Sequence, residues 1–177
     1  MDVGAIVIIV LIGLILILMF YSIGIYNKLF NAKCRLEDRF APIDAELKKR
    51  AEIIPKLLKE VEKYAKHEEN ILNKLESATN SVVVAKTINS KIKALNSLSM
   101  ELNKVYSLVD TYPELKASNT FKSLQKELSV TEDKINYARS FYNDSAKDYN
   151  NFIKKFSSRI VASIFKFKKV DLFEISE

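Results

Sequence analysis

The chain has 177 residues and a formal net charge of +6, with 28 Lys and Arg against 22 Asp and Glu. One histidine, His67, and one cysteine, Cys34, exclude histidine relays, multi-histidine metal centres and an intramolecular disulfide. All three glycines (Gly4, Gly13 and Gly24) lie in the first 24 residues, so the remainder lacks the residue that hairpins and phosphate-cradling loops use for positive φ, and an all-α chain is expected.

After Asp2 the next charge is Lys28, and residues 3–26 between them are nearly all apolar. About 23 helical residues rise ~35 Å, enough to cross a hydrocarbon core of ~30 Å. A cleaved signal peptide would need a basic start, a shorter apolar run and a small-residue cleavage site. This chain begins with an acid, has too long a run and shows no A-x-A pattern. A retained transmembrane helix is predicted, with an anchor at 1–27. Lys28, Lys33, Arg35 and Arg39 follow the span, which places the N-terminus outside and the helical domain in the cytosol at the cell membrane. Tyr21 and Tyr26 then fall at the inner interface, and Cys34 reads as a small packing residue.

The next stretch, 27–50, sets Leu29, Leu36, Phe40, Ile43 and Leu47 on one face, with a bend or irregularity expected at Pro42. Pro55 marks the expected start of a second helix carrying Leu58, Val61, Ala65, Glu68, Leu72, Leu75 and Val82. A third, roughly 85–110, lies between connections at "ATNS" (78–81) and "DTYPE" (110–114). The last helix is expected to begin near Pro113 and run past Phe156. Its apolar or small residues recur every 3 or 4 positions from Phe121 through Leu124, Leu128, Thr131, Ile135, Ala138, Tyr142, Ala146, Tyr149, Ile153 and Phe156 to Ile160. That is the seam of coiled-coil-like packing.

Short connections predict an antiparallel four-helix up-down bundle over 28–157, which returns the chain to its starting end. A basic and apolar tail follows at 158–177. The stretch "KKFSSRIVASIFKFKK" (154–169) holds Lys154, Lys155, Arg159, Lys166, Lys168 and Lys169, three phenylalanines and no acid. It is a candidate for contact with anionic lipid headgroups, against the alternative of helix-end lysines on a tail packed on the bundle. If the chain does not break at Pro55, the first two helices merge and the last one ends far from the membrane.

Glu68 falls on a seam, where a carboxylate is costly unless paired; it is expected either to pair with Arg139 or another base on the last helix, or to reach water from the seam's edge. "HEE" (67–69) does not converge on a metal, because adjacent helical positions diverge by about 100°. Tyr142-Asn143 and Tyr149-Asn150 repeat at seven residues. They are expected to form a structural ladder that faces the first two helices near Tyr26-Asn27, rather than a ligand platform.

Two long segments resemble the LemA family of single-pass membrane proteins. The first, 26–68, includes Tyr26-Asn27, Ile43-Asp44, Leu47-Lys48-Lys49-Arg50, Ile54-Pro55, Tyr64-Ala65 and His67-Glu68. The second, 112–156, includes Tyr112-Pro113, Leu124-Gln125, Thr131-Glu132, Ala138-Arg139, Tyr142-Asn143 and Tyr149-Asn150. The chain departs from the family pattern around Pro42, where a tryptophan-containing stretch is usual, at Ser157, where proline is common, and at Lys166, where glycine is typical. The resemblance implies an N-terminal membrane helix, an outside N-terminus and a soluble four-helix bundle. It implies no particular activity, and an association of some LemA-like members with magnetosome formation points to membrane organisation.

These readings favour a non-enzymatic scaffold or adaptor whose partners are the lipid bilayer and another protein, with no cofactor and no small-molecule substrate. The alternative is a sensor or accessory subunit of a membrane machine serving envelope stress or proteolysis. Nucleic-acid binding is not expected, because the charges are interspersed and form no dense stripe outside the tail.

Overall fold

The computed structural model describes residues 3–173, which form helices and no strand. Helix α1 (Val3–Glu62) passes through both Pro42 and Pro55 without interruption. The break expected at Pro55 is therefore absent, and the first two expected helices begin as one. A proline inside a helix costs about 3 kcal/mol. Next to it, however, Ile53, Ile54 and Leu57 are 3%, 0% and 0% exposed, and burying each such side chain contributes roughly 1.5–3 kcal/mol. Burial outweighs the local preference, and the Pro55 ring itself stays exposed.

The chain leaves α1 at residues 63–68 instead, where Tyr64 and Ala65 both donate their backbone N–H to Val61 O, at 3.0 and 2.9 Å. Helices α2 (Glu69–Val84) and α3 (Ile88–Leu108) follow and pack on each other. The connection expected at 78–81 lies inside α2. There Thr79 and Ser81 donate their hydroxyls back to Leu75 O and Ser77 O, at 2.8 and 2.9 Å, so their polar groups are met within the helix. The actual link is 85–87, closed by a capping box between Thr87 and Ser90.

The single last helix is corrected at both ends. Pro113 opens only the short α4 (Pro113–Ala117), and α5 (Asn119–Lys154) is a separate helix. Ser118 separates them: its Oγ accepts the Phe121 N–H at 3.2 Å, capping α5, and donates to Glu60 Oε1 at 2.7 Å. Beyond α5, Lys155 turns extended (φ −59°, ψ 139°) and α6 (Phe156–Ile164) begins in a new register. Phe156 and Ile160, on the expected seam, are thus 86% and 57% exposed, while α6 buries Ser158, Val161 and Ala162. From Phe121 to Ile153 the seam is buried as expected, apart from a half-buried Leu124.

The helices divide into two compact units. One comprises Asp38–Asp144 with the tail from Val170. Within it, partner numbers on α1 fall as those from the α5 cap into α5 rise: Glu60 meets Ser118, Lys49 meets Glu127 at 3.8 Å, and Glu46 meets Lys134 at 3.0 Å. The other comprises the chain up to Glu37 with Ser145–Lys169. In this unit the large apolar side chains of α1 before Tyr26 are nearly all exposed, whereas Ile25 and Leu29 are buried. The Tyr26 ring meets Phe165 at 4.7 Å and Phe167 at 5.8 Å. Although the first helices merge, the chain following the last helix therefore lies beside the end of the apolar stretch, not far from it.

That placement follows from how α6 stops. The Lys166 N–H donates to Ser163 O at 3.3 Å and the Phe167 N–H to Ala162 O at 2.9 Å, the paired bonds of a Schellman turn. Lys166 holds φ 58° at the position where such turns favour glycine. Replacing Lys166 by Gly should raise the stability of the detergent-solubilised chain by about 1 kcal/mol, read as a higher urea midpoint.

Candidate functional site

The α1 seam continues inward from Leu47 in steps of 3 and 4 to position 50, and the residue there is Arg50, which is 0% exposed. Its Nε donates to Thr131 Oγ1 at 2.8 Å, its Nη1 to Ser99 Oγ at 3.4 Å, and its Nη2 pairs with the Glu132 carboxylate. The Thr131 hydroxyl in turn donates to Leu128 O at 2.6 Å. A buried guanidinium is tolerated only when its donors are met in this way. Three helices, α1, α3 and α5, are thereby pinned at one level. Beside this cluster opens a cavity of about 750 Å³, walled in part by Arg50, Tyr106, Lys126 and Glu132. Burial pushes the Tyr106 hydroxyl up to about 12, with Glu132 adding to the rise and Arg50 opposing it.

Arg139 joins the same carboxylate from the other side, with Nη1 4.0 Å from Glu132 Oε1. It also donates to Asn136 Oδ1 at 2.9 Å, and its guanidinium lies 5.1 Å over the Phe173 ring. The expected Glu68–Arg139 pair does not form. Glu68 sits at the start of α2 and accepts the Tyr112 hydroxyl at 3.1 Å, because the α1–α2 corner carries it to the far end of this unit from Arg139.

Tyr142 and Asn143 hold the chain's own tail. The Tyr142 hydroxyl donates to Asp171 O at 2.8 Å. Asn143 Nδ2 donates to Phe173 O at 3.0 Å, while its Oδ1 accepts the Phe173 N–H at 2.9 Å. Asn89 Oδ1 accepts the Asp171 N–H at 3.0 Å. A side-chain amide with one donor face and one acceptor can satisfy a whole residue of extended backbone, as a neighbouring strand would. Phe173 closes the contact: it is 3% exposed and lies 5.3 Å from Tyr142 and 6.5 Å from Phe40. Burial keeps the Tyr142 hydroxyl protonated well above the usual range, helped by the charge of Asp171.

Tyr142 therefore faces Phe40, at 5.5 Å, rather than Tyr26. Tyr149 is buried and Asn150 half-buried in the other unit, and burial again raises the Tyr149 hydroxyl, with Glu37 contributing. The two Tyr-Asn pairs thus fall in separate compact units. Lys154, Lys155, Arg159, Lys166, Lys168 and Lys169 are all exposed. The sequence reading missed the tail clamp because an amide's partner 30 residues away leaves no local signal. Buried Arg50 could have been found by extending the seam.

Asp44 is a further ion-pair centre, held by Lys91 and, at 3.2 Å, by Lys48. Burial works to raise its carboxyl, but the two lysines prevail and keep it below the ordinary aspartate value. Exposed aromatics Tyr137 and Phe141 meet at 5.1 Å, with Arg39 5.9 Å over Phe141, around a shallow cavity of about 490 Å³. Among the described residues, no group of three His, Cys, Asp or Glu could hold a metal ion.

The sequence model of the LemA family matches residues 39–177. The chain is 28% identical over 162 residues to Protein LemA of Metamycoplasma hominis, covering 89% of this chain and 73% of that one. It is 33% identical over 72 residues to Magnetosome protein MamQ of Magnetospirillum gryphiswaldense. That match covers 41% of this chain and only 26% of the magnetosome protein. A similar stretch of 73 residues matches Magnetosome protein MamQ 2 of Paramagnetospirillum magneticum at 32% identity, covering 41% of this chain and 27% of that one.

Truncating Glu132 to Ala leaves the Arg50 guanidinium buried without a carboxylate and should cost about 3 kcal/mol in chemical denaturation. Adding Arg50→Met in the same chain should recover most of that loss, so that the double variant costs much less than the sum of the two single ones. Asn143→Leu removes both bonds to Phe173 and should cost about 1–2 kcal/mol. It should also make the tail from Val170 accessible to carboxypeptidase, while the helix content by circular dichroism stays unchanged.

Proposed function

The chain belongs to the LemA family, and on that premise we propose that it is a single-pass, membrane-anchored, non-enzymatic scaffold or adaptor. The observation that carries this reading is α1 itself. One unbroken helix bears a charge-free apolar stretch, exposed almost throughout, and then supplies the buried face from Leu29 to Val61. An anchor continuous with a core helix couples whatever the domain binds to the membrane, with no linker between them.

The domain would be an antiparallel four-helix up-down bundle of α1, α2, α3 and α5, packed in coiled-coil fashion. The opposed numbering of α1 and α5 contacts and the tight α2–α3 link support this. The Arg50 cluster and the tail clamp are turned to internal bonds, which favours a structural role for both over a catalytic one. Tyr137 and Phe141 are the exposed aromatics best suited to anchor a protein partner. Relatives named as magnetosome proteins favour membrane organisation as the setting. Lys28, Lys33, Arg35 and Arg39, directly after the span, favour a domain in the cytosol at the cell membrane.

The lone cysteine makes the topology directly measurable. A membrane-impermeant maleimide added to intact cells should leave Cys34 unlabelled and should label it after permeabilisation. In an Asp2→Cys, Cys34→Ser chain, labelling should occur already in intact cells. Alkaline carbonate should leave the full chain in the membrane fraction and release a chain lacking residues 1–26. Labelling of Cys34 in intact cells would overturn the orientation, and carbonate release of the full chain would overturn the anchor.

A further inference from the structure

We infer that α6 and the turn after it form a second membrane attachment, lying in the headgroup region of the same leaflet that α1 enters. The inference rests on the anchor reading above and adds a lipid-binding surface to it. Helix α6 is apolar on two sides. Val161 and Ala162 are buried, 4% and 2% exposed, and account for its inner side. Phe156, Ile160 and Ile164 recur every four residues on another side and are 86%, 57% and 67% exposed. Such a row of large apolar side chains, left open on one short helix, marks a contact surface.

Position identifies what covers it. The Schellman turn at Lys166 brings Phe165 and Phe167 onto Tyr26, the residue that ends the apolar stretch of α1. Tyrosine is favoured where one end of a side chain is apolar and the other wet, which sets Tyr26 at the membrane boundary. The open face of α6 belongs to the same compact unit as that boundary. Charge makes the same selection. Lys154, Lys155, Arg159, Lys166, Lys168 and Lys169 are all exposed, and no acid lies between 154 and 169. Apolar residues on one side with a basic border are what a helix in the interfacial plane presents, buried about 5–10 Å at the headgroup boundary. The basic residues direct it to anionic lipid.

The chain contains no tryptophan, so a single introduced one reports its own site. The full chain is reconstituted into phosphatidylcholine vesicles with lipids brominated just below the headgroups, with and without a third of phosphatidylglycerol. Ile160→Trp is the principal reporter, Ile164→Trp repeats it at a second exposed position, and Ile12→Trp reports the anchor. Blue-shifted emission, quenched by the bromolipid and quenched more strongly with phosphatidylglycerol, is expected at 160 and 164. Combining either with Lys166→Gln, Lys168→Gln and Lys169→Gln should reduce the phosphatidylglycerol effect; an undiminished effect would overturn the electrostatic part. Water-like, unquenched emission at both sites, with Ile12→Trp quenched by lipids brominated deep in the chains, would overturn the inference and leave the anchor standing. Blue-shifted but unquenched emission would mean that protein, such as a second copy, covers the face, and would equally overturn it. Loss of deep quenching at 12 would overturn the anchor reading.

Discussion

A single helix governs this molecule. Because α1 runs from Val3 to Glu62 without a break, its sequence must satisfy two solvents in succession. Before Tyr26 it is apolar on all sides; beyond Leu29 only one row is buried. Each compact unit is assembled on its own portion of this helix. Two prolines inside it would ordinarily divide the helix. The burial of Ile53, Ile54 and Leu57 is worth more than the bond that Pro55 removes.

On this framework the buried polar groups carry a different kind of information. Leucine at position 50 would be the unremarkable continuation of the seam, and buried ion pairs commonly add little net stability over apolar packing. An arginine there has directional requirements. It needs Thr131 and Glu132 on α5 and Ser99 on α3 at one level, and a shift of either helix by a turn would strand its charge. Arg139 brings a second guanidinium to Glu132 and covers Phe173. The same carboxylate thus links the helix register to the docking of the tail.

The tail is organised by backbone geometry as much as by side chains. Lys166 accepts φ 58°, a conformation that suits glycine, and this reverses the chain after α6. In the other unit, Asp171 and Phe173 are held as an extended segment by Asn89, Tyr142 and Asn143. Lysine at position 166 leaves the turn in place at the cost of strain, and its two neighbours, Phe165 and Phe167, meet Tyr26.

Taken alone, the sequence determined the helical class, the charge-free stretch and most of the buried rows. These depend on composition and on periods of 3 and 4 residues, which are local properties. It also contained, within its LemA-like segments, the pairs Thr131-Glu132 and Tyr142-Asn143 and the arginine at 50, but not what they touch. Tertiary structure alone decided that Pro55 lies inside a helix, that Ser118 and Lys155 interrupt the last one, and that Glu68 meets Tyr112 instead of Arg139. It also decided that Asn143 binds Phe173. Each of these is a contest between a local preference and a contact with residues distant in the chain, and its outcome is set by which groups must be buried together.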